Sequence, residues 1–123
     1  MPLDTMPAQV IDKTAEDAAK QFKADGLKTT QIRNFYSAIT RLRQDFVEAK
    51  KQLTPQIERE LVLLKPKLAY SAGRQKAVRA HFYDFMKTNI DEVLAANNKP
   101  LAMDNFFALV ESVVAYHKFY GGE

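Results

Sequence analysis

The sequence predicts an all-α fold, a single-domain bundle of about five helices. Apolar residues recur at spacings of three and four along most of the chain, which is the period of a helix that buries one face. No stretch shows the sustained alternation of apolar and polar residues, bounded by turns, that indicates a strand. The 5 prolines and 4 glycines fall mostly between the periodic segments, and 123 residues with 46% hydrophobic side chains suit one core.

The first two helices are predicted from a capping pattern and a long apolar stripe. Residues Thr14–Asp17 have the form of a capping box, so the first helix should begin there and end at Asp25-Gly26. The second should begin at the Thr29-Thr30 pair and reach about Gln52. Its core-facing residues should be Ile32, Phe35, Ile39, Leu42, Phe46 and Ala49, with a polar face on the other side.

A basic segment that contains a proline separates the third and fourth helices. The pair Thr54-Pro55 predicts a capped helix start, because proline fits the first helical position. The pair Lys65-Pro66 disfavours helical geometry at Lys65, so we expect a kink or break there. A fourth helix is predicted from about Gln75 to Ala96, with Val78, Phe82, Met86, Ile90 and Val93 facing the core.

The last helix should be the central one. It follows Asn97-Asn98 and Pro100, and Asp104 is predicted to cap it. Apolar side chains surround much of its circumference, which is typical of a buried helix. These residues are Phe106, Phe107, Leu109, Val110, Val113, Val114 and Tyr116.

The sequence predicts no catalytic residue, no metal site and no cofactor. It contains no cysteine and 2 histidines, His81 and His117, as bases with a pKa near neutrality. His117 continues the stripe of Val110 and Val113, so we expect a hydrogen-bonded histidine in the core or an interface. The chain has no HExxH motif, no EF-hand loop and no glycine-rich nucleotide-binding loop.

One pattern keeps an enzymatic alternative open. Arg74 and His81 form an R-x6-H pattern in a helical, basic region, which resembles the catalytic motif of HEPN-type ribonucleases. That resemblance implies an arginine that binds phosphate and a histidine that transfers protons. Gln75 follows Arg74 at a position where that family usually has a polar or acidic residue such as Asn, His or Asp.

Basic residues are concentrated in the middle of the chain. The formal net charge is only +3, but residues 61–80 hold five basic residues and no acidic one. Together with Tyr70, they supply the cations and the flat side chain that RNA binding requires. Two other interpretations stay open: Tyr70 packs in the core while the lysines are merely solvated, or the basic face of a general helical interaction module binds an acidic protein.

The chain is expected to be cytoplasmic. Residues 1–10 show neither the basic segment nor the apolar segment of an export signal. No apolar run approaches the roughly 20 residues that a membrane helix needs. The absence of cysteine fits a reducing compartment.

Three segments together are much more specific than any one of them. They are LKTTQIRNFY from Leu27 to Tyr36, LLKPKLAYSAGR from Leu63 to Arg74, and VAYHKFYGG from Val114 to Gly122. In order and spacing they resemble the small subunit of type III-A CRISPR Csm complexes. The resemblance covers residues 27–123, and residues 1–26 would be a variable N-terminal helix. It implies a non-catalytic five-helix bundle, several copies of which stack beside the backbone subunits that hold the guide RNA in antiviral defence.

The resemblance also implies an RNA-binding face. Arg33, Lys65, Lys67 and Arg74 occupy the motif positions expected to contact the RNA backbone, and Arg41 is added because it follows Arg33 on one helical face. Such phosphate contacts are independent of base sequence. The expected partners are target and guide RNA, the backbone and large Csm subunits and neighbouring copies of this chain, with no membrane. We assign to packing Tyr70, Tyr116 and His117.

Overall fold

The structure is a computed structural model that describes residues 2–121, and these residues form five α-helices and no strand. A 3-10 turn, Leu3–Thr5, precedes the first α-helix, and a π-helical segment, Val78–Phe82, leads into the fourth. The α-helices are α1 Ala8–Ala24, α2 Thr29–Glu48, α3 Pro55–Arg74, α4 Tyr83–Ala95 and α5 Lys99–Phe119. The predicted all-α bundle is confirmed. Within residues 2–121, no helix has the length and apolar character needed to cross a membrane.

Helix α5 lies at the centre of the bundle, as predicted. It packs against α1, α2, α4 and the Leu3–Thr5 turn. Its buried residues lie on more than one face and include Met103, Phe106, Phe107, Leu109, Val110 and Val113. The predicted cap at Asp104 was wrong. Asn98 caps the helix instead, because its Oδ1 atom accepts a hydrogen bond from the Leu101 amide at 3.1 Å, and Pro100 is tolerated in the first turn.

Helix α1 begins earlier than predicted and runs parallel to α5. It starts at Ala8 after Pro7, so the Thr14–Asp17 capping pattern lies inside the helix and caps nothing. The Tyr116 hydroxyl donates to Asp12, and the Tyr120 hydroxyl donates to Glu16 at 2.6 Å. These two contacts advance in the same direction along both helices.

The apolar stripe of α2 is confirmed, and the ends of the helix differ slightly from the prediction. Lys28 precedes the first helical residue, Thr29, and the Gln31 side chain accepts a hydrogen bond from the Lys28 amide at 2.8 Å. The helix ends at Glu48, four residues before the predicted end. Lys50 and Lys51 then adopt positive φ angles of 58° and 60°, which turn the chain away from the helix axis.

A kink or break was predicted at Pro66, and helix α3 contradicts the break. The Thr54 cap is confirmed, since its Oγ1 atom accepts from the Ile57 amide at 3.2 Å, but the helix continues through Pro66 to Arg74. A proline inside a helix removes one backbone hydrogen bond. Buried Leu64 before it and buried Leu68 after it hold both halves against the core. Packing thus outweighs the local preference.

The π-helical segment explains how the fourth helix buries its stripe. The predicted residues Val78, Phe82, Met86, Ile90 and Val93 are all buried. Three of their four spacings are four residues, which is longer than one α-helical turn of 3.6 residues. The wider π turn keeps the first two on the core side. Phe82 packs edge-on against Phe22 and Phe35, with ring centroids 5.2 and 5.6 Å away.

Candidate nucleic-acid interface

A groove of about 480 Å³ lies between α2 and α3 and reaches the π-helical segment. Its apolar lining includes Phe35 from α2, Leu68 from α3 and Phe82. A smaller hollow of about 160 Å³ adjoins the groove and shares Ala38, Leu64 and Lys67 with it. The two together form a continuous depression along the α2–α3 surface.

Lys67, Tyr70 and Arg74 lie on one side of α3, next to this groove. Helical spacing places the three within about 60° of one another around the helix axis. The Tyr70 ring is 67% exposed, so its assignment to packing was wrong. Arg74 lies over this ring: its Nη1 atom donates to the Tyr70 hydroxyl at 3.1 Å, and its guanidinium carbon lies 5.6 Å from the ring centroid. The contact aligns a cation and an exposed aromatic surface.

Lys65 points in another direction. Residues two positions apart in an α-helix are rotated by about 200° around its axis, so Lys65 and Lys67 lie on nearly opposite sides of α3. The Lys65 Nζ atom lies 2.6 Å from Oδ1 of Asp91 in α4, and the Lys65 side chain is only 28% exposed. Lys65 therefore connects two helices, and it does not join the cations at the groove.

The two arginines predicted on α2 lie on different parts of its surface. Arg41 lines the smaller hollow together with Lys67 and Glu60. Arg33 is exposed but is separated by about 160° around the helix axis from Phe35, which lines the groove. Of the sequence-predicted residues, Arg41 and Lys67 thus line one hollow, and Arg74 lies about two turns further along the Lys67 side of α3. We call these three, with Tyr70, the basic face.

The cations of the basic face differ from several other cations of the protein because they have no carboxylate partner. Arg43 is paired with Glu111 at 2.8 Å, and Lys51 with Asp104 at 3.4 Å. No acidic residue lines the groove, and among residues 2–121 no ion pair involves the three cations of the basic face. Glu60, in the smaller hollow, is the acid that borders this surface. The basic face is therefore free to meet an anion.

The Arg74 and His81 side chains engage different partners, which weakens the ribonuclease alternative. His81 lies in the π-helical segment, and its Nδ1 atom is 2.6 Å from Oδ2 of Asp25 at the end of α1. Arg74 is held by Tyr70. Within residues 2–121, no cluster of three or more His, Asp or Glu side chains is arranged to hold a metal ion.

The third motif, at the end of α5, has a structural role. His117 is 1% exposed, and its Nε2 atom lies 2.8 Å from the Leu27 carbonyl oxygen. Since a carbonyl only accepts, Nε2 carries the proton and donates. This bond fixes the α1–α2 connection to the core, and the predicted hydrogen-bonded core histidine is confirmed. Gly122, at the end of this motif, lies outside the described residues.

The tyrosines of the same motif bind the acidic side of α1. The hydrogen bond to Asp12 raises the pKa of Tyr116 to about 12, because the carboxylate opposes loss of the phenolic proton. The hydrogen bond to Glu16 likewise raises the pKa of Tyr120. The Lys20 ammonium lies 5.2 Å from the centroid of the Tyr120 ring. Asp12 and Glu16 are therefore used in the contact between α1 and the end of α5, on a different part of the bundle from the groove.

Comparison with known proteins identifies relatives over most of the chain. The family profile described as Csm2 Type III-A matches residues 5–123. A protein of Enterococcus italicus named CRISPR system Cms protein Csm2 is 33% identical over 98 residues, which cover 78% of this chain and 69% of that protein. A Streptococcus thermophilus protein of the same name is 31% identical over 119 residues, which cover 92% of each chain. No solved structure matches the chain.

Proposed function

Because the chain belongs to the Csm2 family of type III-A CRISPR systems, the small subunit of the Csm complex, we propose that it is a non-catalytic RNA clamp. In this role it lies beside the backbone subunits and neighbouring copies of itself, and its basic face binds the backbone of the target RNA and of its duplex with the guide. The observation that carries the proposal is the arrangement of Arg41, Lys67 and Arg74. Arg41 and Lys67 line one hollow, Lys67 and Tyr70 line the adjoining groove, and Arg74 contacts the exposed Tyr70 ring. Among residues 2–121, none of the three cations has a carboxylate partner in an ion pair.

Phosphate binding suits a subunit that must accept any target sequence. Lysine and arginine contacts to phosphates position a strand without reading its bases. Three such contacts per subunit are few, and single-stranded RNA binding of this kind is strongly weakened by salt. Several copies along one RNA would add their contacts, since each bound copy raises the effective concentration of RNA at the next.

Arg33 and Lys65 have secondary roles in this proposal. Arg33 lies on the outer side of α2, so it would extend the phosphate-binding surface away from the groove. Lys65 would reach RNA only by leaving Asp91, its partner at 2.6 Å. We therefore assign Lys65 first to the α3–α4 contact and only second to RNA.

The non-catalytic part of the proposal is supported by the environment of the two histidines. His117 is buried and donates to a backbone carbonyl, and His81 is bound to Asp25. Neither histidine lines the groove. An acid–base catalyst must reach the reacting proton in the bound substrate, and neither histidine is placed to do so from the groove.

A titration of labelled target RNA with the assembled complex tests the proposal. The triple variant Arg41→Ala/Lys67→Ala/Arg74→Ala should bind RNA at least about tenfold more weakly than wild type, because three phosphate contacts are lost. The matched control is Lys23→Ala/Lys87→Ala/Lys118→Ala, which removes the same charge from exposed positions on α1, α4 and α5. Equal losses in both variants would show a general charge effect and would contradict the assignment of the basic face.

A further inference from the structure

The groove beside the basic face has more features than a phosphate clamp needs. Phosphates bind at exposed cations, whereas this groove has an apolar floor that includes Phe35, Leu68 and Phe82. Its volume of about 480 Å³ lies within the range of small-molecule pockets. A phosphate would not fill an apolar pocket of this size, so the pocket suits a different, less polar part of a ligand.

The polar groups of the groove favour one class of occupant. Three side-chain amides line it, from Gln31, Asn34 and Gln75, and a hydroxyl is added by Ser71. Amides both donate and accept hydrogen bonds, and this combination matches the edges of nucleobases. The absence of acidic residues from the lining disfavours a cationic ligand or a basic peptide.

Tyr70 and its neighbours define the mouth of the groove. The Tyr70 ring lines the groove and remains 67% exposed, so a planar group can stack on it. Lys67 lines the same groove, and Arg74 contacts the Tyr70 ring. A nucleotide whose base enters the groove would thus have cations close to its phosphates.

On this evidence we propose that the α2–α3 groove is a nucleobase-binding pocket that accepts an unpaired base of the bound RNA. The base stacks on Tyr70, contacts the apolar floor, and forms hydrogen bonds with the amides. This inference rests on the proposed RNA-binding function, because the same strand occupies the basic face and the groove. The Gln31 oxygen already accepts from the Lys28 amide, but the Asn34 and Gln75 amides can rotate to present either a donor or an acceptor, so the pocket tolerates different bases.

The test is an abasic scan of the target RNA. Each nucleotide in turn is replaced by an abasic residue, and binding to the assembled complex is measured for wild type and Tyr70→Ala. At the position that enters the groove, base removal should weaken wild-type binding by about tenfold and should weaken the variant little further. A lost base pair lowers the affinity equally in both proteins, so the difference between them isolates the groove.

Two further variants control for the loss of an aromatic side chain. Tyr70→Phe keeps the stacking surface and should restore the position-specific effect. Phe119→Ala removes an aromatic side chain that is 77% exposed at the end of α5, outside the groove, and should leave that effect in place. Photo-crosslinking with 4-thiouridine at the sensitive position should attach the RNA to Tyr70 or to a neighbouring residue of the groove.

The outcomes separate this inference from the proposal on which it rests. If the abasic scan is the same in wild type and Tyr70→Ala while Lys67→Ala/Arg74→Ala still weakens binding, the groove binds no base and the phosphate clamp stands. If the basic variant also has no effect, both proposals fail. If Tyr70→Ala instead loses a protein subunit from the complex, the groove holds a protein segment and the nucleobase pocket is excluded.

Discussion

Lys65 and Lys67 are two residues apart on α3, yet the Lys65 ammonium lies 2.6 Å from Asp91 of α4 while Lys67 lines the groove toward α2. The rotation of about 200° between them places one lysine in an intramolecular ion pair and the other on the basic face. Two lysines of the same motif therefore have different roles.

Replacing the two lysines one at a time should separate stability from binding. Lys65→Ala should lower the free energy of unfolding by about 1 kcal/mol, because a partly exposed ion pair contributes at most about that much. Lys67→Ala should leave the unfolding free energy nearly unchanged but weaken RNA binding by the assembled complex. Urea unfolding and RNA titration of both variants measure the two effects. An additive double-mutant cycle of Lys65→Ala with Asp91→Ala would show that the ion pair contributes nothing.

The contact between Tyr116 and Asp12 should make stability depend on alkaline pH. The pKa of Tyr116 rises in the folded state from the ordinary 10.0 to about 12, so the folded protein holds the phenolic proton more tightly than the unfolded chain. The stabilisation is fully present below pH 10 and is lost as the pH rises toward 12. Phenolate absorbance should show a tyrosine that titrates near pH 12 and is absent in Tyr116→Phe, beside Tyr120, whose pKa is also raised.

The same substitution should give a pH-dependent difference in stability. Unfolding free energies of wild type and Tyr116→Phe should differ by a constant amount below pH 10 and converge between pH 10 and 12. Tyr83→Phe controls for the loss of a hydroxyl, because within residues 2–121 the Tyr83 hydroxyl makes no hydrogen bond to another side chain or to the backbone. A difference that persists unchanged to pH 12 would exclude the proposed proton linkage.

The turn after α2 should be improved by glycine. Lys50 has a φ angle of 58°, and its amide donates to the Val47 carbonyl at 3.0 Å in a left-handed helix termination. A side chain costs about 1–2 kcal/mol in this conformation, whereas glycine adopts it readily. Lys50→Gly should therefore raise the free energy of unfolding by about 1 kcal/mol, net of the added flexibility of the unfolded chain. Lys50→Ala, which keeps the Cβ atom, should bring no such increase in the free energy of unfolding measured by chemical denaturation.

Helix interiors were predicted from the sequence more accurately than helix ends. The core-facing residues of α2, α4 and α5 were predicted correctly, because burial of one helix face determines the spacing of its apolar residues. The starts of α1 and α5 were wrong because Thr14 and Asp104 have the residue types of a cap but lie inside helices. Local capping patterns occur by chance, whereas at the true starts Pro7 directly precedes α1 and Pro100 fits the first turn of α5.

The exposure of Tyr70 follows from the continuity of α3 through Pro66. In the continuous helix, Tyr70 lies more than about 100° around the axis from the buried residues Leu64 and Leu68, and its exposure follows. The pairing of Lys65 with Asp91 depends on how α3 and α4 pack. No spacing within the sequence specifies that contact.

The salt dependence of target RNA binding by the assembled complex tests the central claim most directly. For wild type, the logarithm of the binding constant should fall linearly with the logarithm of the salt concentration. In the variant Arg41→Ala/Lys67→Ala/Arg74→Ala, the slope should be smaller by about 2, since each lost phosphate contact on a single strand removes about 0.7. An unchanged slope in a folded, fully assembled variant would show that the basic face does not bind the RNA backbone.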